Sequence, residues 1–486
     1  MAATPRSQSM IQRRAFLRTL GLTGAAVAAS GLLAACGGAA TPAPTAAPAK
    51  PAETKPAESK PAAQPTTAAA PAAQPAATAA PAAAAAGKPA TAGEIAVPSG
   101  NVNLTFWNGL TGPDGKVLEE LVGNFQAKYP NIKIEHQQIP WNDLYTKLLT
   151  AIPAGEGPDM ALIHTYEIPR FGEQGHITEI TADELKAQNL DAPDFYEVAW
   201  KGGEYKGKRW SLPQDVPSMG LFINNELFKK NGLWEGDKPK APTNMDEFLS
   251  MAKTCTKGDE YGLCWGQGAA ARWQWQMLLW QNGGDLFDAQ EQPTLDTPQA
   301  IEVTQFHLDI FQKHAISPLG ITNTVDSFRT GKFGMMVQGG WNVPGLVEAK
   351  LDYTLAPIPQ WFKQKVVWAA SHQFVLPTPK SKDENKRKAA LAYYTWFSQN
   401  ALTWSQKAGH VAARRSVVKS PEFQALKGGQ VVLANQEPYW KIQPATHKII
   451  ELETREPVAL ENVATGAATP EQAMKALQEE IKRVRV

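Results

Sequence analysis

The chain has 486 residues with 48 Lys+Arg against 47 Asp+Glu, 43% hydrophobic and 20% charged, an ordinary globular balance. A net charge of +1 argues against the basic face that nucleic acid demands and against a polybasic membrane patch. These averages hide three unlike segments.

Residues 1–36 hold Arg13-Arg14-Ala15-Phe16-Leu17, an apolar small-residue run from Leu20 to Ala35, and then Cys36. The run is diluted by glycine and falls short of the ~20 apolar residues of a spanning helix, so it reads as an export signal. The paired arginines resemble a twin-arginine motif. Leu33-Ala34-Ala35-Cys36 resembles a lipobox, which makes Cys36 the expected lipidation site and the start of an exported lipoprotein. Residues 37–94 are an Ala/Pro tether. Between Gly37 and Gly93, 26 residues are Ala and 11 are Pro, with no aromatic, Leu, Ile, Val or Met to bury. The protein is thus expected outside the cell, lipid-anchored on the outer face of the cell membrane.

All 15 tryptophans follow, beginning at Trp107, so the folded body starts near residue 95. Its size suits two lobes better than one core. Val102–Phe106 alternates as a strand, and Val117, Leu118, Leu121, Val122 and Phe125 recur at helical spacing. Ile132–Glu135 alternates again, completing a βαβ unit. A helix over Tyr145–Ile152 leads to the apolar run Met160–Ile163, expected as a buried parallel strand. The class is α/β. Thr243-Asn244-Met245-Asp246 and Thr469-Pro470-Glu471-Gln472 fit capping boxes, Thr297-Pro298 marks another helix start, and Met474, Leu477 and Ile481 form the stripe of a docked C-terminal helix. Cys255 and Cys264 are an even pair in an exported chain and are expected to form a disulfide closing a small loop, two reduced buried thiols being the alternative.

Motifs for catalysis are missing: Gly-x-Ser-x-Gly, His-Glu-x-x-His and Cys-x-x-Cys are all absent. His307 and His314 lack a third ligand at metal spacing, so neither metal nor cofactor is called for. Indoles and phenols instead recur in polar, turn-rich sequence: Trp107-Asn108-Gly109, Pro140-Trp141-Asn142-Asp143, Arg272-Trp273-Gln274-Trp275, Gly339-Gly340-Trp341-Asn342 and Pro438-Tyr439-Trp440. A pyranose offers apolar C–H faces for such rings and rim hydroxyls for amides and acids, so these sites suit a sugar.

Several fragments stand in a telling order: Leu104-Thr105-Phe106-Trp107-Asn108-Gly109, Tyr129-Pro130-x-Ile132, Gly157-Pro158-Asp159, Phe222-Ile223-Asn224-Asn225-Glu226-Leu227-Phe228, Phe328-Arg329-Thr330-Gly331-Lys332, then Gly340-Trp341 and Ala356-Pro357-Ile358-Pro359. In this order, behind a lipobox and a tether, the chain resembles extracellular solute-binding protein family 1, the capture lipoproteins of ABC importers. The resemblance spans about residues 100–486. It implies a two-lobe periplasmic-binding-protein type II fold with a cleft and several hinge crossings, near Leu212–Asp215, Ser371–Phe374 and Ala434-Asn435. The lobes would be 95–213 with 372–433, and 214–371 with 434–486.

It further implies a monomeric binding protein whose partners are a carbohydrate ligand, the permease subunits of an ABC transporter and, through lipid, the membrane. Ligand contacts are expected from Trp107, Asn108, Trp141, His164 and Tyr166 in the first lobe, from Trp275, Trp341 and Trp440 in the second, and from Asp215 and Arg414. The charged pattern of maltodextrin binders is missing over residues 163–170, which points away from a maltodextrin. Two other readings remain open: an exported glycoside hydrolase using Asp215, Asp285 or Asp288, and a binder of a phosphodiester, polyamine or peptide.

Overall fold

The computed structural model describes residues 95–484; the expected signal, Cys36 and the tether lie outside the described residues. The first strand, β1 (Val102–Asn108), is followed by α1 (Pro113–Lys128), β2 (Ile132–Gln138), α2 (Trp141–Ala154) and β3 (Met160–His164). The alternation of the sequence sets this unit. β1 pairs in parallel with both β2 and β3, and the stripe Val117, Leu118, Leu121, Val122 and Phe125 of α1 is buried. The first four residues of β3 are buried because helices cover both faces of the sheet. The helix α2 begins at Trp141, four residues ahead of the stretch its apolar period marks.

Beyond β4 (Ser211–Pro213) and the short β5 (Asp215–Val216), β6 (Met219–Asn224) starts a second sheet. It is joined by β7 (Tyr261–Cys264), β8 (Phe333–Gly339) and β9 (Tyr353–Ala356), with α3 (Met245–Cys255), α4 (Arg272–Gln281) and α5 (Pro298–Phe311) between them. The chain then passes through β10 (Val367–Trp368) and returns to the first sheet as β11 (His372–Val375). Next come α6 (Glu384–Gln399), α7 (Ala401–Ala408), β12 (Val411–Ala412), β13 (Trp440–Lys441), α8 (Lys448–Ala464) and α9 (Pro470–Lys482).

The first sheet has the order β2-β1-β3-β11-β4, and the second β7-β8-β6-β9. Three stretches of chain join them. β5 pairs antiparallel with β12, Asp215 opposite Ala412, and β10 pairs in parallel with β13, Val367 opposite Trp440. The carbonyl of His372 accepts from the amide of Gln214 at 2.8 Å, which fastens two crossings to each other.

Local signals place most helix starts. Thr469 and Gln472 make both bonds of a capping box at the head of α9, and Thr297 accepts from Ala300 N–H at the head of α5. At α3 the cap is shifted by one residue. Asn244 accepts from Glu247 N–H while Thr243 bonds the Glu247 carboxylate. The stripe Met474, Leu477 and Ile481 of α9 is buried, as its period demands.

The expected disulfide is corrected. Cys255 and Cys264 are both free, buried thiols. Cys255, ending α3, lies beside Gly334, which neighbours the start of β7 at Gly262. Cys264 lies two residues further along that strand. Its thiol donates instead to the Thr324 carbonyl at 3.2 Å. Burial raises both thiols, Cys255 to about 11. Among the described residues, no helix is long and apolar enough to cross a membrane.

Candidate functional site between the sheets

One wall of the site is built by the first sheet. The turn after β1 carries Gly109, where a Cβ would stand 2.0 Å from the Trp141 ring, so only glycine lets that indole lie on the backbone. Trp141 opens α2 and stacks on His372, with centroids 5.4 Å apart and planes 2° from parallel. His164 ends β3 opposite His372 in register, and its ring lies 4.1 Å from Trp141. On its other side Tyr166 stacks at 5.1 Å, and the Tyr145 hydroxyl reaches His164 Nδ1 at 2.5 Å.

Burial, then the neighbouring His372 and Arg272, push His164 well below the usual imidazole value, so the ring is neutral and accepts at Nδ1. Burial likewise raises the Tyr145 and Tyr166 phenols. Glu453 is a second cause at Tyr166. Arg272 and Glu453 belong to α4 and α8, so the two walls lie close enough to feel each other's charge.

The second wall is indole. A Cβ on Gly339 would fall 1.8 Å from the Trp341 ring, which folds back over its own strand end. Trp341 meets Trp273 edge to face at 5.6 Å, and Trp273 stacks on Trp368 at 5.0 Å. The Arg272 guanidinium sits 4.5 Å above Trp273, and its Nε pairs with Glu453 at 3.2 Å. Behind this pair, Gln276 donates to Glu453 and to Glu456. Glu456 is fully buried, and burial followed by the charge of Glu453 holds its carboxyl well above the ordinary range.

Between the walls, at the crossings, Asp215 accepts from His372 Nδ1 at 3.0 Å and from Trp404 Nε1 at 2.9 Å. His410 stacks on Trp404 at 5.1 Å with planes 3° apart, and Trp341 lies over it at 6.3 Å. A nearly unbroken run of rings therefore leads from Trp141 through His372 and His410 to Trp341.

Of the residues singled out by sequence, Trp141, His164, Tyr166 and Trp341 meet in this arrangement, with Asp215 beneath them. Others do not. Trp275 is wholly buried and donates to Thr304 Oγ1 at 2.9 Å, a core position. Asn108 is wholly buried and holds its turn, accepting from Leu110 N–H and donating to the Gln137 carbonyl. Trp107 packs against the α2 residues on its own side of the sheet, beneath Lys147, whose Nζ is 3.9 Å from the ring. Arg414 is spent on Asp194 at 2.7 Å and on Ser398. Trp440 packs edge-on against Tyr196 at 5.0 Å.

Trp273, Trp368, His372, His410, Arg272 and Glu453 escaped as site residues. Trp273 and His372 stand in quoted motifs, but nothing in their spacing tells them from Trp275 or Phe374. Glu453 gave no signal. The acids considered for hydrolysis are dispersed: Asp285 binds Trp280 Nε1 and Lys441, Asp288 accepts from the Gln290 and Gln292 amides, and Asp215 is sealed inside.

With this geometry in hand, comparison decides the family. Residues 108–402, well over half the chain, match the model of the bacterial extracellular solute-binding proteins. The chain belongs to that family, whose members are binding proteins. A relative from Pyrococcus abyssi, a maltotriose-binding protein, is 26% identical over 67% of this chain and 69% of its own length. The GacH receptor of Streptomyces glaucescens, solved without ligand and with acarbose, superposes with a TM-score of 0.70 at 18% identity, covering 79% of this chain and 98% of that one. UgpB of Mycobacterium tuberculosis, solved with glycerophosphocholine, reaches 0.69 at 18% identity over 79% of this chain and 98% of its own. These neighbours fix the two-lobe fold.

Proposed function

We propose that this protein captures a carbohydrate, an oligosaccharide, between its lobes and delivers it to the permease of an ABC importer, held at the outer face of the cell membrane by lipid on Cys36. The observation that carries the reading is the pair of facing ring walls, Trp141, His164 and Tyr166 against Trp341, Trp273 and Trp368. Each wall offers flat apolar faces to a sugar ring, and a ligand touching both favours the closed arrangement by its differential contacts. The lobes are assigned as 95–213 with 372–433, and 214–371 with 434–486.

Charge supports the same choice. Arg272, a cation in the second wall, is already paired with Glu453, which leaves it little to offer a phosphodiester. The spent acids Asp285 and Asp288 and the sealed Asp215 favour binding over hydrolysis. The relative named for maltotriose and the receptor solved with acarbose lend the sugar reading weight, and UgpB supplies its sharpest competitor.

The test is a panel of oligosaccharides and glycerol phosphodiesters screened by thermal unfolding and small-angle scattering. A cognate sugar at 100 times its Kd should stabilise the protein by about 2.7 kcal/mol and shrink its radius of gyration. A panel in which only phosphodiesters do so, or in which a glycan is turned over, would overturn the proposal.

A further inference from the structure

The crossings hold a cluster that sugar binding does not require. Asp215, His372 and His410 each come from a different stretch of chain, and one ligand atom from each lies within 4.8 Å of the others. From Asp215 Oδ2 the spacings are 3.1 Å to His372 Nδ1 and 3.7 Å to His410 Nδ1. These bracket the ~3.4 Å edge of a tetrahedron whose metal–ligand bonds are about 2.0–2.1 Å. All three residues are buried, Asp215 wholly so.

His410 is the independent observation. It is 1% exposed, and neither ring nitrogen has a hydrogen-bond partner. Trp404 and Trp341 stack against the ring, so its unmet nitrogens point along the ring edges. A buried polar atom with no partner costs about 1–3 kcal/mol, and here two such atoms persist on one side chain. Nδ1 is turned to Asp215, and Nε2 stands 3.5 Å from Asp114 Oδ2. This is the arrangement of a metal-ligating histidine, with one nitrogen free to bind and the other beside an orienting carboxylate. Asp114 is itself steadied by the Gly115 amide at 2.9 Å. Asp215 is held from behind by Trp404 Nε1 and the His372 amide.

We propose that Asp215, His372 and His410 form a divalent metal site of the zinc class at the junction of the crossings, with Asp114 orienting His410. Two imidazoles and one carboxylate suit Zn2+ and its Co2+ and Ni2+ surrogates, whereas Ca2+ and Mg2+ require oxygen-rich sets. The ion ties together segments that are otherwise joined by two-residue strand pairs, and it lies beneath both Trp141 and Trp341. Metal loading therefore stiffens the pivot of the two lobes.

The test uses the full chain, stripped with a chelator and with Cys36 alkylated, titrated with ZnCl2. One Zn2+ per chain and a rise in Tm are expected. X-ray absorption should show two imidazole nitrogens and an oxygen near 2.0–2.1 Å, and Co2+ should give the intense visible band of a four-coordinate ion. His410→Gln should weaken Zn2+ binding at least 100-fold, and His447→Gln, which changes a half-buried histidine paired with Glu173 away from the cluster, should leave it unchanged. Binding that is multi-site, survives His410→Gln or is lost with His447→Gln overturns the proposal. Sulfur scattering near 2.3 Å does the same. The absorption experiment needs no variant, so the proposal stays testable even if His410→Gln fails to fold.

Discussion

The two walls of the cleft use aromatic rings in opposite ways. On the first sheet the rings are polar, a neutral imidazole clasped by two phenols and an indole, and their hydrogen bonds are satisfied among themselves. On the second the rings are indoles, Trp273 stacked on Trp368 with Trp341 edge-on to both, and polarity sits behind them in the Arg272–Glu453–Gln276 network. The first wall is a set of fixed donors and acceptors and the second a set of flat faces. A sugar needs both, and neither wall alone selects one.

The largest expected effect separates wall from core on a single helix. Trp273 and Trp275 are two residues apart on α4, so they point to different sides of it. Trp275→Ala should cost about 3–5 kcal/mol of stability in chemical denaturation, because it empties a filled core position and removes the indole N–H that donates to Thr304 Oγ1. The affinity of the folded fraction for its sugar should hardly change. A Trp275→Ala protein that is stable but loses ligand would move this indole from core to cleft and dissolve the distinction.

Next, Trp341→Ala should weaken sugar binding by about 1–3 kcal/mol in calorimetry at modest cost in stability, the scale of a lost aromatic anchor. Equal affinity in wild type and variant would remove the second wall from the site.

A smaller effect probes the polarity behind the indoles. Glu456 is held well above its ordinary value of 4.5 by burial and by Glu453. Below 4.5 both folded and unfolded chains carry the proton. As pH rises past 4.5 the unfolded chain releases it while the folded one keeps it, so this group's stabilising contribution falls with pH. Glu456→Gln keeps the shape without the charge. It should raise stability above pH 5 and flatten the pH profile there. A variant as pH-sensitive as wild type would show that Glu456 is charged in the fold.

How far this was legible in the sequence depends on distance along the chain. The unit β1–α1–β2, the strand β3 and the caps at Thr297 and Thr469 rest on contacts within a few turns, and residue periodicity reports them well. The α4 indoles were visible but not their facing. Gln274, Gln276 and Gln281 are buried along with the apolar residues, so the helix has no polar stripe to set its phase. The junction of Asp215, His372 and His410 draws on positions up to 195 residues apart, which local patterns do not bring together. The cysteines misled because their number and expected compartment suit a disulfide, whereas each thiol is buried in its own surroundings, Cys255 beside Gly334 and Cys264 on the Thr324 carbonyl.

The least effect is expected at the rim, where Glu173 of the first lobe meets His447 Nε2 of the second at 2.8 Å. Glu173 is pushed down to about 2, first by Lys206, then by the Tyr205 hydroxyl, with His447 a lesser cause. Its stabilising contribution is present above pH 4.5 and is lost as pH falls toward 2. Because the larger causes lie in its own lobe, removing His447 leaves Glu173 still paired. His447→Gln should therefore change sugar affinity by only ~0.2–1 kcal/mol, less at high salt, as for other solvent-accessible ion pairs. Glu173→Gln should instead loosen the Tyr205–Lys206 turn, read as faster amide exchange there. A His447→Gln affinity loss as large as that of Trp341→Ala would mean that the lobes are latched at their rim and not by the ligand between their walls.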